Sequence, residues 1–346
     1  MKFLTSHELI NILVFENHNH VGDILCSLSL FSSLRKKFPH AHITLVAVPT
    51  SYQIPFFELN PHLDEVLIFD KSSLRKLFLF IKKLRSRSYG FGIIPSTKSI
   101  SRTLHLLNII PRVRYRVGVK SIDGKKNPSQ ILLNVKKDFV WKDKHQLERN
   151  LEVAKQIGCE LTNEEMQSIK FEFSRENIQF AESYLKDKFG AARKNLIAIH
   201  PGAGKSTNAW PAEKFIDLIC RLYAKHNSHF LITKGLIDET IVGVISKALK
   251  QKNIEHEILF NCPVKKLGAV LSKVDLFITN DTGTMHIGGF SDARMISLFG
   301  PTNPLEWAPR GKNKFHINSK SDKIEDIRVE DVLELANKIL DENYSS

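Results

Sequence analysis

At 346 residues, with 42% apolar and 9% aromatic side chains, the chain is long enough to bury two ordinary cores, which excludes a small stapled scaffold. Its formal net charge of +13 is one-sided: residues 1–150 carry 24 Lys and Arg against 11 Asp and Glu, while residues 151–346 carry 26 of each. A field of that kind implies an anionic partner for the N-terminal half, whether nucleic acid, a phosphorylated substrate or an anionic membrane, with a merely solvated basic face as the plain alternative.

Apolar, β-branched runs predict strands at residues 11–16, 42–49, 65–70 and 89–95. Between them, residues 23–37 place Leu25, Leu28, Phe31 and Leu34 at three-residue steps, and residues 74–85 form a second amphipathic stretch with a basic face. A second series of strands is expected at 195–202, 229–235, 255–261, 276–281 and 294–300, again with helices between. Strand and helix in alternation favour parallel sheets covered on both faces. Two such series predict an α/β protein of two Rossmann-like, doubly wound domains, with ligands at the carboxyl ends of the strands and between the domains. The boundary is set at 180/181, and a last helix at 329–342 is read as able to pack back on the N-terminal domain.

Four cysteines, Cys26, Cys159, Cys220 and Cys262, stand far apart without a CxxC pair, so neither a zinc site nor a disulfide framework is expected. No signal peptide and no spanning segment is read, which predicts a cytoplasmic protein. Helix-turn-helix, zinc-finger and RNP-like signatures are absent, and nucleic acid is not expected as a partner.

Four stretches carry candidate chemistry. At the junction after the first strand, Gly22 permits a tight turn and Asp23 presents a carboxylate at the sheet's carboxyl rim, where it serves either a ligand or a helix cap. His18 and His20 precede this pair and line the acceptor side of the expected cleft, unless they are ordinary loop residues. In the stretch IHPGAGKSTNAWP, Gly202, Lys205, Ser206 and Asn208 lie in a small polar loop suited to phosphate oxygens or to a plain surface turn. It does not match the nucleoside-triphosphate loop GxxxxGK[ST]. In TNDTGTMHIGG, Asp281, Thr282, Gly283 and Thr284 fall at an expected helix start, with His286 in its first turn, where a diphosphate finds unpaired amides. Glu239, beyond the strand at 229–235, is placed for ribose hydroxyls or for capping.

Taken together these stretches resemble glycosyltransferase family 9, the ADP-heptose:lipopolysaccharide heptosyltransferase family. The resemblance rests on Gly22-Asp23 before a helix ending in Phe38-Pro39, on His200-Pro201-Gly202 with Trp210-Pro211, and on Asn280 to His286 followed by Phe299 to Pro304. It implies a GT-B fold whose two Rossmann-like domains face a central cleft, with the acceptor on the first domain and the sugar nucleotide on the second. It implies an inverting, metal-independent reaction without a cofactor: heptose passes from ADP-heptose to a lipopolysaccharide core or related surface glycan. Asp23 matches the family's essential aspartate and is implied as general base; Thr282 and Gly283 amides would hold the diphosphate, Asp281 and His286 would shape their loop, and Glu239 would contact the ribose. Another nucleotide sugar, a protein acceptor or a binding protein without turnover uses the same scaffold.

Two departures stand out. The family commonly has a phosphate-binding Lys two positions before the Trp-Pro tryptophan, where this chain has Asn208, with Lys205 three residues earlier; a proline usual in the first helix is replaced by Ser29. An anionic glycolipid acceptor fits the basic N-terminal half, and residues 71–88, with Arg75, Lys76, Lys82, Lys83, Arg85 and Arg87 among Leu and Phe, suit peripheral contact with an anionic inner membrane or packing on a sheet.

Overall fold

The computed structural model describes residues 10–16, 20–48, 60–97, 100–191 and 195–342. The chain divides into two compact units that meet at Ile169 and Lys170.

In the first unit, β1 (Asn11–Phe15) lies between β2 (His42–Ala47) and β4 (Ser88–Ile93). β3 (Glu65–Ile68) flanks β2, and β5 (Arg112–Ile122) flanks β4. β6 (Lys125–Lys126) turns back antiparallel on the end of β5, and β7 (Val135–Phe139) runs parallel beside it. The parallel order is therefore 3-2-1-4-5-7, a doubly wound sheet that reverses direction at β1. β1 and β2 are continuous apolar runs because helices cover both their faces.

The segment expected as one helix over 23–37 is two, α1 (Val21–Cys26) and α2 (Leu28–Lys37). At the break, Ser27 Oγ donates to the Ile24 carbonyl (2.7 Å), and Ser29 Oγ donates to the Leu147 carbonyl (2.7 Å). Ser29 thus ties this helix pair to the helix that starts at Gln146. After α3 (Leu74–Leu84) and α4 (Arg102–Leu107) come α5 (Gln146–Lys155), packed on α2, and α6 (Asn163–Gln167).

The second unit opens with α7 (Arg175–Phe189) and continues through β8 (Leu196–His200), α8 (Ala212–His226), β9 (His229–Lys234), α9 (Glu239–Gln251) and β10 (His256–Phe260). Then follow α10 (Val264–Leu271), β11 (Leu276–Asn280), α11 (Gly283–Gly289), β12 (Met295–Phe299), α12 (Pro304–Trp307), β13 (Lys314–Asn318) and α13 (Val329–Glu342). The strands run 10-9-8-11-12-13, every pair parallel, and the order reverses between β8 and β11. The loops after those two strands are the ones this topology offers to a ligand.

Two boundaries differ from the sequence reading. The units part at 169/170 and not at 180/181, because α7 packs on α10 of the second unit. The final helix, read as able to pack back on the N-terminal domain, buries Val332, Ala336, Ile339 and Leu340 in the core of the second unit, beside α8.

Candidate functional site

The second unit's site is a knot of three loops at the carboxyl ends of β8, β9 and β11. His200, the last residue of β8, is buried with Nδ1 3.0 Å from Thr233 Oγ1 and Nε2 3.9 Å from Asp238 Oδ2. Burial, the largest influence, holds its imidazole below the ordinary value against the opposing pull of Asp238. The ring is a neutral pin between two loops. Asp238 accepts from the Gly235 amide at 2.7 Å and presses against Gly202, where an added Cβ would stand 2.1 Å from Asp238 Oδ1. Gly202 is therefore required for close approach, not for flexibility. Gly202→Ala is expected to push the β8 and β9 loops apart and to lower the melting temperature, which differential scanning calorimetry checks.

Asn280, fully buried at the end of β11, joins the second pair of loops. Its Nδ2 donates to the Pro201 carbonyl (2.8 Å), and its Oδ1 accepts from the Trp210 amide (3.3 Å). Asn208 is also buried and donates to Asp281 Oδ2 at 3.0 Å, with Thr302 Oγ1 at 3.4 Å. Asp281, Thr282, Gly283 and Thr284 are half-buried, and the Thr282 hydroxyl caps α11 by accepting from the Thr284 amide (3.0 Å). His286 is buried one turn on, its ring edge-on to Trp307 at a centroid distance of 5.9 Å. The far end of α11 is held by Lys314 from β13, which donates to the carbonyls of Gly288, Ser291 and Ala293 at 2.9, 2.8 and 2.6 Å. Burial lowers the Lys314 pKa to about 8.

The structure thus brings Gly202, Asn208, Asp281, Thr282, Gly283, Thr284 and His286 into one cluster. Lys205 and Ser206 lie on the exposed arm of the 201–211 loop. Glu239 starts α9 with its side chain 77% exposed, ion-paired to Lys234. Its neighbour Asp238 is the buried carboxylate of this loop, a residue to which the sequence reading gave no role; Asn280 and Thr302 it named only as parts of motifs, without a contact of their own.

In the first unit, Gly22 and Asp23 are buried in the first turn of α1. The N-cap is His20, exposed and without a side-chain cap bond, so Asp23 is the third helical residue and not the cap. His18 lies outside the described residues. Close to Asp23 is a second carboxyl, Glu16, the residue after β1, buried and influenced electrostatically by Asp23. Desolvation raises its pKa to about 8; Asp23 adds to the rise and Ser27 opposes it. The sequence signal was faint: one acidic residue closing an apolar run. Among the described residues, no three His, Cys, Asp or Glu side chains are grouped to hold a metal ion.

The doubly wound units with polar loops at the strand ends place this chain among the GT-B glycosyltransferase folds. Over 95% or more of either chain it superposes on the E. coli ADP-heptose lipopolysaccharide heptosyltransferase II, with a TM-score of 0.74, 20% identity, and coverage of 97% of this chain and 100% of that one. Residues 78–336 match the model of glycosyltransferase family 9 (heptosyltransferase), and the chain belongs to that family. It is 22% identical over 364 residues to lipopolysaccharide heptosyltransferase 3 of E. coli K12, covering 94% of this chain and 97% of the relative. It is 27% identical over 144 residues to lipooligosaccharide heptosyltransferase 2 of Campylobacter jejuni serotype O:2, where the match takes in 41% of this chain and 45%, about half, of the relative's length.

Proposed function

We propose that the protein is an inverting, metal-independent glycosyltransferase that moves heptose from ADP-heptose onto a lipopolysaccharide core or a related surface glycan. The observation that carries this reading is the joining of the 201–211 and 281–284 loops through Asn280 and Asn208, at the point where the second sheet reverses. Loops of that kind hold a diphosphate with backbone amides. Family membership and the heptosyltransferases among the relatives support the choice of sugar and acceptor class.

In the proposed reaction, an acceptor hydroxyl oxygen attacks the anomeric carbon as Asp23 takes its proton. The new C–O bond forms on the face opposite the departing diphosphate, whose oxygen leaves with the electron pair of the broken bond. Thr282 and Gly283 amides meet the charge that develops there. A general base has to be within hydrogen-bond reach of the proton it removes, and the N3 position of α1 fixes the Asp23 carboxylate at the rim of the first sheet. Calorimetric titration with ADP, UDP, GDP and ADP-heptose, with and without EDTA, tests the donor. Metal-independent, ADP-selective binding that Asp281→Ala weakens supports it. Absence of binding sinks it, and binding without transfer favours the second reading, a relative without turnover, for which Asn208 in the position of the family's lysine is the motive.

We further propose that α3 rests on an anionic membrane surface. Phe80 and Leu84 pack into the first core, whereas Leu74 and Phe78 are 85% and 66% exposed and Leu79 is exposed beside them. Arg75, Lys82 and Arg85 share that outer face and have no ion-pair partner among the described residues, unlike Lys76 with Asp70 and Lys83 with Glu65. Each basic residue near such a surface contributes about 1 kcal/mol. Phe78→Glu with Leu79→Glu is expected to abolish flotation with phosphatidylglycerol vesicles and leave the melting temperature unchanged; equal flotation of both proteins contradicts the contact. Among the described residues, no helix is long and apolar enough to cross a membrane.

A further inference from the structure

We propose that Glu16 keeps its proton at neutral pH and acts as a positioning residue for the Asp23 carboxylate, so that the proposed base works as one ionised member of a carboxyl pair. This rests on the reading of Asp23 as the base. The backbone of Glu16 extends the sheet by one residue beyond β1, its amide donating to the Val46 carbonyl at 3.0 Å. That bond fixes where the side chain starts. The side chain is 5% exposed, and Oε1 is buried with no hydrogen-bond partner among the described residues. A buried carboxylate with an oxygen left bare would carry its full desolvation cost; a neutral carboxylic acid carries far less.

Ser27, four residues after Asp23, has its hydroxyl directed at the Ile24 carbonyl, 2.7 Å away, and its pull on Glu16 toward the charged form is outweighed by burial. From the elements packed here, β2 offers Glu16 the Val46 carbonyl and α1 offers Asp23 and Ser27; Asp23 is the one charged group among the described residues that acts on it. Two neighbouring buried carboxyls do not both ionise cheaply, and one holds the proton so that the other carries the charge. Asp23 must be ionised to accept a proton, which leaves Glu16 as the neutral member. Burial supports this by raising the Glu16 pKa to about 8.

The sign of the pH effect follows. A carboxyl whose folded pKa lies above its ordinary value of 4.5 contributes stability that is full below that value and lost as pH rises through about 8. The full-length wild type and Glu16→Gln are to be compared in two ways between pH 5 and pH 9: melting temperature, and kcat/KM for transfer from ADP-heptose to a heptose-deficient core acceptor. The wild-type melting temperature is expected to fall across this window and that of Glu16→Gln to stay level. Wild-type kcat/KM is expected to break downward near pH 8, where a second charge appears beside Asp23, and Glu16→Gln is expected to lack that break. Parallel melting curves would overturn the neutral carboxyl, whatever the chain catalyses. A level melting curve for Glu16→Gln with coincident kcat/KM profiles would overturn the positioning role and leave a purely structural acid. Because Asp23→Asn is assayed alongside, an active Asp23→Asn protein marks failure of the base assignment itself, which coincident profiles with an inactive Asp23→Asn protein do not.

Discussion

Asp23→Asn is expected to lower kcat for heptose transfer by about 10²–10⁴-fold, the usual contribution of a positioned general base. The substitution keeps the shape of the side chain in the first turn of α1, where Asp23 is buried, and replaces a proton acceptor by an amide that cannot take the proton. The melting temperature is expected to hold, because the amide fills the space of the buried carboxyl. Donor affinity, which the proposal assigns to the loops of the other unit, should stay within about twofold by calorimetry, well under the 1.4 kcal/mol that makes a tenfold change. A fall in kcat below tenfold at saturating substrates would remove Asp23 from the chemistry.

Trp210→Ala is expected to cost about 3–5 kcal/mol of unfolding free energy, measured by urea titration. The indole is fully buried in the second core, edge-on to Phe215 at 4.9 Å, and its Nε1 donates to the Ile327 carbonyl at 3.1 Å. Truncation leaves a cavity and removes one of the two donors to the Ile327 carbonyl, which keeps Lys214 Nζ at 2.8 Å. The same residue's amide donates to Asn280 Oδ1, so the loss reaches the knot that joins the loops after β8 and β11. Trp210→Phe retains most of the packing but not the Nε1 bond and should lose roughly 0.5–1.5 kcal/mol, because Lys214 still donates to the Ile327 carbonyl. A cost under about 1 kcal/mol for the alanine variant would mean that the Trp-Pro motif does not anchor this loop.

The inner strands were legible because parallel strands covered on both faces must be apolar throughout. β1, β2, β8, β11 and β12 are such runs. β5, β7 and β13 were missed for the converse reason. β5 alternates Arg112, Arg114 and Arg116 with Val113 and Tyr115, β7 places Lys136, Lys137 and Asp138 between two buried residues, and β13 is an edge strand with no fully buried position. The domain boundary slipped because α7 carries too little apolar periodicity to announce which core it serves, and only its contact with α10 assigns it.

The site was legible as motifs and illegible as geometry. Small polar residues at strand ends marked the loops around Gly202 and Asp281, yet Asn280 works through contacts with Pro201 and Trp210, 79 and 70 positions away. Of the two acidic residues after β9, the reading favoured Glu239, which is exposed and paired with Lys234, over Asp238, which is buried against Gly202. Local sequence gives both the same chance of facing a ligand or capping a helix. Glu16 was hidden by its position at the end of an apolar strand, where burial, Ser27 and Asp23 act on its carboxyl.

The most direct test is the mass spectrum of a heptose-deficient lipopolysaccharide core after incubation with ADP-heptose and the purified protein in EDTA. Growth of the acceptor by one heptose residue, with equimolar ADP released and neither seen with Asp23→Asn, is the expected result. An acceptor of unchanged mass under conditions where ADP-heptose is bound would contradict heptose transfer as the function of this chain.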